Sequence, residues 1–161
     1  MAYTALPTWP LILFGILEPV ALIWGYSVTL LNPESYFLDQ VPNTTLASVA
    51  GHLVPVHGLA LTYQLGNVFI VLAAVAIICT HTTHTDIIKK YLLAIALGDL
   101  GHIYACYRTL ETNIFWDITQ WNDMAWGNIF VSAFLHVNRL ATVAGLFGKV
   151  VSNANVTKKN K

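Results

Sequence analysis

Four long apolar runs set the terms on which this chain can fold. They cover Thr8–Leu31, His57–Thr80, Ile87–Leu110 and Met124–Gly148, each longer than the ~20 residues a helix needs to cross a hydrocarbon core of ~30 Å. In lipid a backbone must satisfy its own N–H and C=O groups, so runs of this length predict helices. The expectation is an all-α fold, a four-helix transmembrane bundle, formed by one domain over residues 1–150 with a polar tail at 151–161. Composition agrees, since 56% of the residues are hydrophobic and only 10% are charged, outside the usual range for a soluble domain.

The basic residues set the orientation. Lys89 and Lys90 flank the connection between the second and third runs, and Lys149, Lys158, Lys159 and Lys161 follow the fourth. The connections at the other end carry Glu34, Asp39, Glu111, Asp117 and Asp123 instead. The positive-inside rule then puts both termini in the cytoplasm, and the expected location is an integral multi-pass protein of the endoplasmic reticulum. The first run has no basic residue before it and is too long for a cleaved leader, so it is expected to stay in the mature chain. Tyr36, Phe37, Phe115, Trp116 and Trp121 fall where an interfacial aromatic belt belongs, and Asn43-Thr44-Thr45 forms a glycosylation sequon on the same side.

Several function classes drop out. Eight Lys and Arg balance eight Asp and Glu, which leaves no basic face for a nucleic-acid backbone. Cys79 and Cys106 fall near opposite membrane surfaces, too far apart for a disulfide. His81-x-x-His84 has metal-like spacing but lies in an exposed connection with no cysteine partner, so no metal or other cofactor is expected. The partners expected are the bilayer and a lipophilic small molecule, with a homo-oligomer admitted.

The ionisable residues inside the runs are the candidate site. At a rise of ~1.5 Å per residue, Glu18 in the first run and Asp99 in the third both lie ~15 to 18 Å from the cytoplasmic end, so they share the midplane. His102 follows Asp99 by one turn on the same face. In the second run Tyr63, Gln64 and Asn67 fall at a similar depth on one helix face, and Asn128, Ser132, His136 and Arg139 follow the same spacing in the fourth. Pro19 removes a helix hydrogen bond beside Glu18 and is expected to kink the span there. Intramembrane carboxylates are costly and mark functional sites by default. The plainer reading makes Glu18 and Asp99 ion-pair partners of Arg108 or Arg139, and the amides hydrogen-bond glue between helices.

A carboxyl taken out of water disfavours its charged form and can act as general acid, while a second one held ionised can act as base. Such a pair suits a lipophilic substrate protonated at one point and deprotonated or attacked by water at another. Opening of an epoxide and shift of a double bond both meet that description. No nucleophile motif, phosphate loop or dinucleotide site is present.

The chain resembles a family of small fungal four-span integral membrane proteins over most of its length. The matching pieces are Leu17-Glu18-Pro19, Gly98-Asp99-Leu100-Gly101-His102, the stretch from Phe115 to Asn128, Asn138-Arg139, and Ala144-Gly145-Leu146-Phe147. In the logic of paired acids it is similar to the membrane-bound cyclases of fungal meroterpenoid and indole-diterpene pathways and to the membrane epoxide hydrolases of fungal polyene-pyrone pathways. In architecture it is similar to the four-span sterol isomerase and sigma-2 receptor group. The resemblance implies an epoxide-opening enzyme, hydrolase or cyclase, acting on a polyketide or terpenoid intermediate. Asp99 and Glu18 would divide the acid and base roles and His102 would tune one of them. Tyr63, Gln64, Asn67, Asn128 and Arg139 would orient the epoxide oxygen or a water, and Trp24, Trp121 and Trp126 would wall the site. The alternative is an isomerase-like or lipid-binding bundle without chemistry.

Overall fold

The computed structural model describes residues 4–43 and 54–151. All regular elements among the described residues are helical. The polar tail from residue 152 and the Thr44-Thr45 half of the sequon lie outside the described residues. Helix α1 runs over Thr8–Leu31, and the short α2 over Pro33–Leu38. The long α3 and α4 follow over Val56–Thr80 and Thr85–Thr109, then the short α5 over Thr112–Trp116. Helix α6 is assembled end to end from Asp123–Ala125, Trp126–Val131 and Ser132–Val143. Two of these, α1 with 24 residues and α3 with 25, are long and apolar enough to cross a membrane.

Local sequence explains the breaks. Pro19 lacks the N–H that would close the turn onto Gly15, and its ring crowds that carbonyl. The preceding residues Leu13–Leu17 respond by widening into a π turn. At the end of α1, Asn32 leaves the helical region and Pro33 opens α2 at the position that tolerates a missing donor. The Asn122 side chain caps α6 by accepting from the Ala125 N–H at 2.8 Å. That helix stops at Val143, short of the Gly148 expected from hydropathy. Gly145 there takes φ +82, the Leu146 N–H donates to the Ala141 carbonyl at 3.0 Å, and the Gly145 N–H donates to Thr142 at 3.0 Å. This left-handed stop satisfies the last carbonyls, and hydropathy cannot register it because Gly145, Leu146 and Phe147 are themselves apolar.

The long helices associate as two pairs, α1 with α3 and α4 with α6. The α3 face turned inward is made of small residues, Gly58, Thr62, Gly66, Ala73, Ala76 and Thr80, which lets the backbones approach closely. A Cβ on Gly66 would collide with the Thr29 side chain of α1, and one on Gly25 would press on the Phe69 ring of α3. The pairs are joined at one end by a core that includes Leu13, Phe14, Ala76, Ile88, Tyr91 and Leu92. A second, smaller core of Leu110, Phe115, Ala125 and Ile129 lies at the far end of the α4–α6 pair. At that far end the Asn122 side-chain amide donates to the Asp39 carbonyl at 2.9 Å and Asn128 donates to Gln40 Oε1 at 3.3 Å, tying the two pairs together again.

Candidate functional site

Three helices bring one charged side chain each to a single buried point. Arg139 of α6 is 1% exposed, Asp99 of α4 is 8% exposed, and the Glu18 side chain of α1 is 10% exposed. The guanidinium grips Glu18 as a fork, with Nη2 donating to Oε1 at 2.6 Å and Nη1 donating to Oε2 at 3.2 Å. Such bidentate pairs fix orientation as well as charge. Toward Asp99 the contact is looser. Nη2 reaches Oδ1 at a long 3.5 Å, and Nε lies 3.1 Å from Oδ2 without the alignment of a hydrogen bond. Both Asp99 Oδ2 and Arg139 Nε are thus left without a hydrogen-bond partner among the described residues, although they attract one another as charges. The Phe14 ring covers the guanidinium, its centroid 4.8 Å from Cζ, a cation–π contact that desolvation strengthens.

The surroundings position this cluster. Asn138 precedes Arg139 and ties α6 to the first turn of α1, accepting from Trp9 Nε1 at 3.0 Å and donating to the Phe134 carbonyl at 2.9 Å. One turn before Arg139, His136 Nδ1 lies 2.9 Å from the Ala96 carbonyl of α4. A carbonyl only accepts, so Nδ1 carries the hydrogen and clasps α4 to α6 just below Asp99. His102, half-buried, and His136 both lie within electrostatic reach of Asp99.

Of the residues singled out from sequence, the structure brings together Glu18, Asp99 and Arg139, with His102 at the edge. The others stand elsewhere. Tyr63, Gln64 and Asn67 share one face of α3 as expected, but that face is exposed and turned away from the cluster. Trp24 is 71% exposed on α1. Trp121 and Trp126 stack edge to face at 5.1 Å near the far end of α6, in the same region as Asn128, which lies about 16 Å along the helix from Arg139. Arg108, the other cation considered for the carboxylates, donates to the Tyr104 hydroxyl at 3.2 Å on the exposed side of α4. Gly98 and Gly101, which bracket Asp99, face open space rather than a packed helix.

Sequence reading passed over Phe14 and Tyr91, and it quoted Asn138 only as part of Asn138-Arg139, with no role at the site. Tyr91 is 7% exposed and lies within electrostatic reach of Glu18, Arg139 and Asp99; its place about two turns before Asp99 was the available signal. No group of three or more His, Cys, Asp or Glu side chains among the described residues is arranged to hold a metal ion, and Cys79 and Cys106 are free thiols.

Fold and site together define an all-helical protein built on apolar helices with a buried acid–arginine–acid cluster at their convergence. The chain belongs to the family described as Domain of unknown function (DUF7704), whose model matches residues 3–149. No curated protein and no solved structure matches it.

Proposed function

We propose that the chain is a four-span membrane enzyme in which Glu18 and Asp99 perform general acid/base chemistry on a lipophilic substrate, with epoxide opening as the reaction. The observation that carries this reading is the charge count of the cluster. Two carboxyls face one guanidinium, so a neutral site holds one further proton, and Asp99 Oδ2 has no hydrogen-bond partner among the described residues. A buried proton shared between two carboxyls is what acid/base chemistry needs.

In hydrolysis, the proton of one carboxyl passes to the epoxide oxygen as its carbon–oxygen bond breaks. Water attacks that carbon and gives a proton to the other carboxylate, so the product is a diol. The cluster keeps its charge, with the proton on the opposite carboxyl and reset by exchange. If a hydroxyl of the substrate attacks instead, the same transfers give a cyclic ether. Arg139 holds the pair in place and stabilises the carboxylate that forms, and His102 biases which carboxyl carries the proton.

The four-span reading rests on α1 and α3, on the 25-residue α4, and on the unbroken helical course of α6, which at 1.5 Å per residue is about 30 Å long. Exposed apolar residues such as Val20 at 60%, Leu97 at 72% and Val137 at 63% support it, since lipid accepts them. Both termini in the cytoplasm and residence in the endoplasmic reticulum complete the proposal, along with kinship to the small fungal membrane proteins.

The test is turnover of a lipophilic epoxide by the purified chain in oxygen-18 water. Glu18→Gln and Asp99→Asn are each expected to lower the rate by at least about 100-fold, with label in a diol if water attacks. Folded variants that both keep the wild-type rate would defeat the proposal. The fork between Glu18 and Arg139 favours one rival, a purely structural clasp. On that reading the wild type turns over no epoxide and the two variants lower only the melting temperature.

A further inference from the structure

The exposed face of α3 carries a pattern that the acid cluster does not use. Ala60, Gln64, Asn67, Val71, Ala74 and Ile78 follow one another at spacings of four, three, four, three and four residues, and all six are exposed. That is the seam of a left-handed helix pair, two apolar-seam positions per heptad. It is the outer side of the molecule. Ala76, nine residues from Asn67 and so two and a half turns away at 3.6 residues per turn, is fully buried and packs in the core with Ile88 and Leu92 of α4. The remaining buried residues of α3 lie on that same inner side, against α1 and, at Gly58, against Phe37 of α2.

Asn67 lies near the middle of α3, about 17 Å from Val56 and about 20 Å from Thr80, and Gln64 lies one turn from it. Neither side-chain amide has a hydrogen-bond partner among the described residues. Lipid tails offer none, and an unsatisfied amide in hydrocarbon costs several kcal/mol. We infer that this face pairs with a second copy of the same chain. Two copies inserted in one membrane share their orientation, so their α3 helices run parallel about an axis along the membrane normal, and each residue meets its own counterpart. A carboxamide carries both donors and an acceptor, so Asn67 pairs with Asn67 and Gln64 with Gln64. A charged residue at either position would repel its counterpart. Ala60 and Ala74 keep the backbones close on either side of the amides, and Val71 and Ile78, 52% and 70% exposed in the single chain, close the seam at the end nearer Thr80.

This inference rests on the membrane reading and is independent of the catalytic one. The test uses the full chain, with Cys79 and Cys106 replaced by Ala, reconstituted in phosphatidylcholine vesicles. Val71→Cys on the seam is expected to form a covalent dimer on mild oxidation, while Leu61→Cys, exposed but off the seam, is not. In the cysteine-free chain, Gln64→Leu with Asn67→Leu is expected to raise the dimer dissociation constant at least about tenfold. Helix content is unchanged because both positions are on the surface. A chain that stays monomeric in vesicles, cross-links equally through Leu61→Cys, or dimerises as tightly with both leucines overturns the pairing. A chain that does not float with the vesicles overturns the membrane reading instead.

Discussion

At the scale of single residues, Arg139 is the side chain on which the interior most depends. Among the described residues it is the one cation touching both carboxyls, and its burial means that no water can substitute for it. Replacing it by Met leaves a carboxylate in an apolar core with no cation beside it, an arrangement that costs about 3–5 kcal/mol when one partner of a buried pair is removed. The expected outcome is a large drop in the detergent melting temperature for Arg139→Met. Most of it should return in the triple variant that also carries Glu18→Gln and Asp99→Asn, because the uncompensated charge is then gone. A triple variant no more stable than Arg139→Met would show that the cost lies in lost packing against Phe14. A smaller residue-scale effect belongs to the surface. Asp117, partly exposed, accepts from the Thr119 N–H at 3.1 Å, from Thr119 Oγ1 at 2.6 Å and from Gln120 Nε2 at 2.8 Å. These bonds hold its carboxyl below the ordinary value of 3.8. A depressed carboxylate pKa stabilises the folded turn above the unfolded value and loses that contribution as pH falls through the folded one. The Thr119 amide resonance should therefore shift on acidification with a midpoint below 3.8. A midpoint above that value would contradict the bonding pattern.

At the scale of elements, the pairing of α1 with α3 depends on Gly66 lying against Thr29. Gly66→Leu is expected to lower stability by about 1–3 kcal/mol, the usual range for overpacking, and Thr29→Ala in the same chain should recover part of it because it removes the atom the new side chain meets. A melting temperature equal to wild type would mean that the helices do not approach there. Element length was legible from the sequence, and the physical reason is plain. A helix satisfies its own backbone groups along its whole length, so a long apolar run reads as helix, and apolar length and helix length coincide in α1 and nearly so in α3 and α4. Element facing was less legible. Tyr63, Gln64 and Asn67 do share a face, but a polar stripe in a membrane helix points toward whatever can bond it, inside the chain or outside. The more telling pattern was Gly58, Thr62, Gly66, Ala73, Ala76 and Thr80, because only small residues allow the close approach that replaces the hydrophobic effect in lipid. For the site, the positions of Glu18 and Asp99 along their apolar runs were the available signal, and both carboxyls meet the Arg139 guanidinium. The Phe14 ring and the Trp9–Asn138 bond were invisible because they depend on the angle at which α1 meets α6.

At the scale of the whole molecule, the two helix pairs are held at both ends, by the core around Phe14 and Ile88 and by the Asn122 and Asn128 bonds to the α2 side. The proposed orientation can be checked directly. In sealed microsomes, a cysteine at Thr83, in the connection between α3 and α4, should react with an impermeant maleimide added outside, whereas one at Thr119 should react only after the membrane is permeabilised. The reverse pattern would invert the molecule. The π turn at Leu13–Leu17 also reaches this scale. Trp9 and Glu18 are nine residues apart, which in a regular helix puts them on opposite sides. Both nevertheless meet α6, at the adjacent residues Asn138 and Arg139. The extra residue in the wide turn absorbs about 100° of rotation and brings the two side chains toward one side. The segment before Pro19 thus works as a phase shifter, setting the angular offset between the anchor at the helix entrance and the acid in its interior. Deleting a single residue within it would restore regular turns with Trp9 and Glu18 eight steps and about 80° apart, so both contacts would survive, whereas a regular helix that kept all nine steps would allow only one of the two contacts to form.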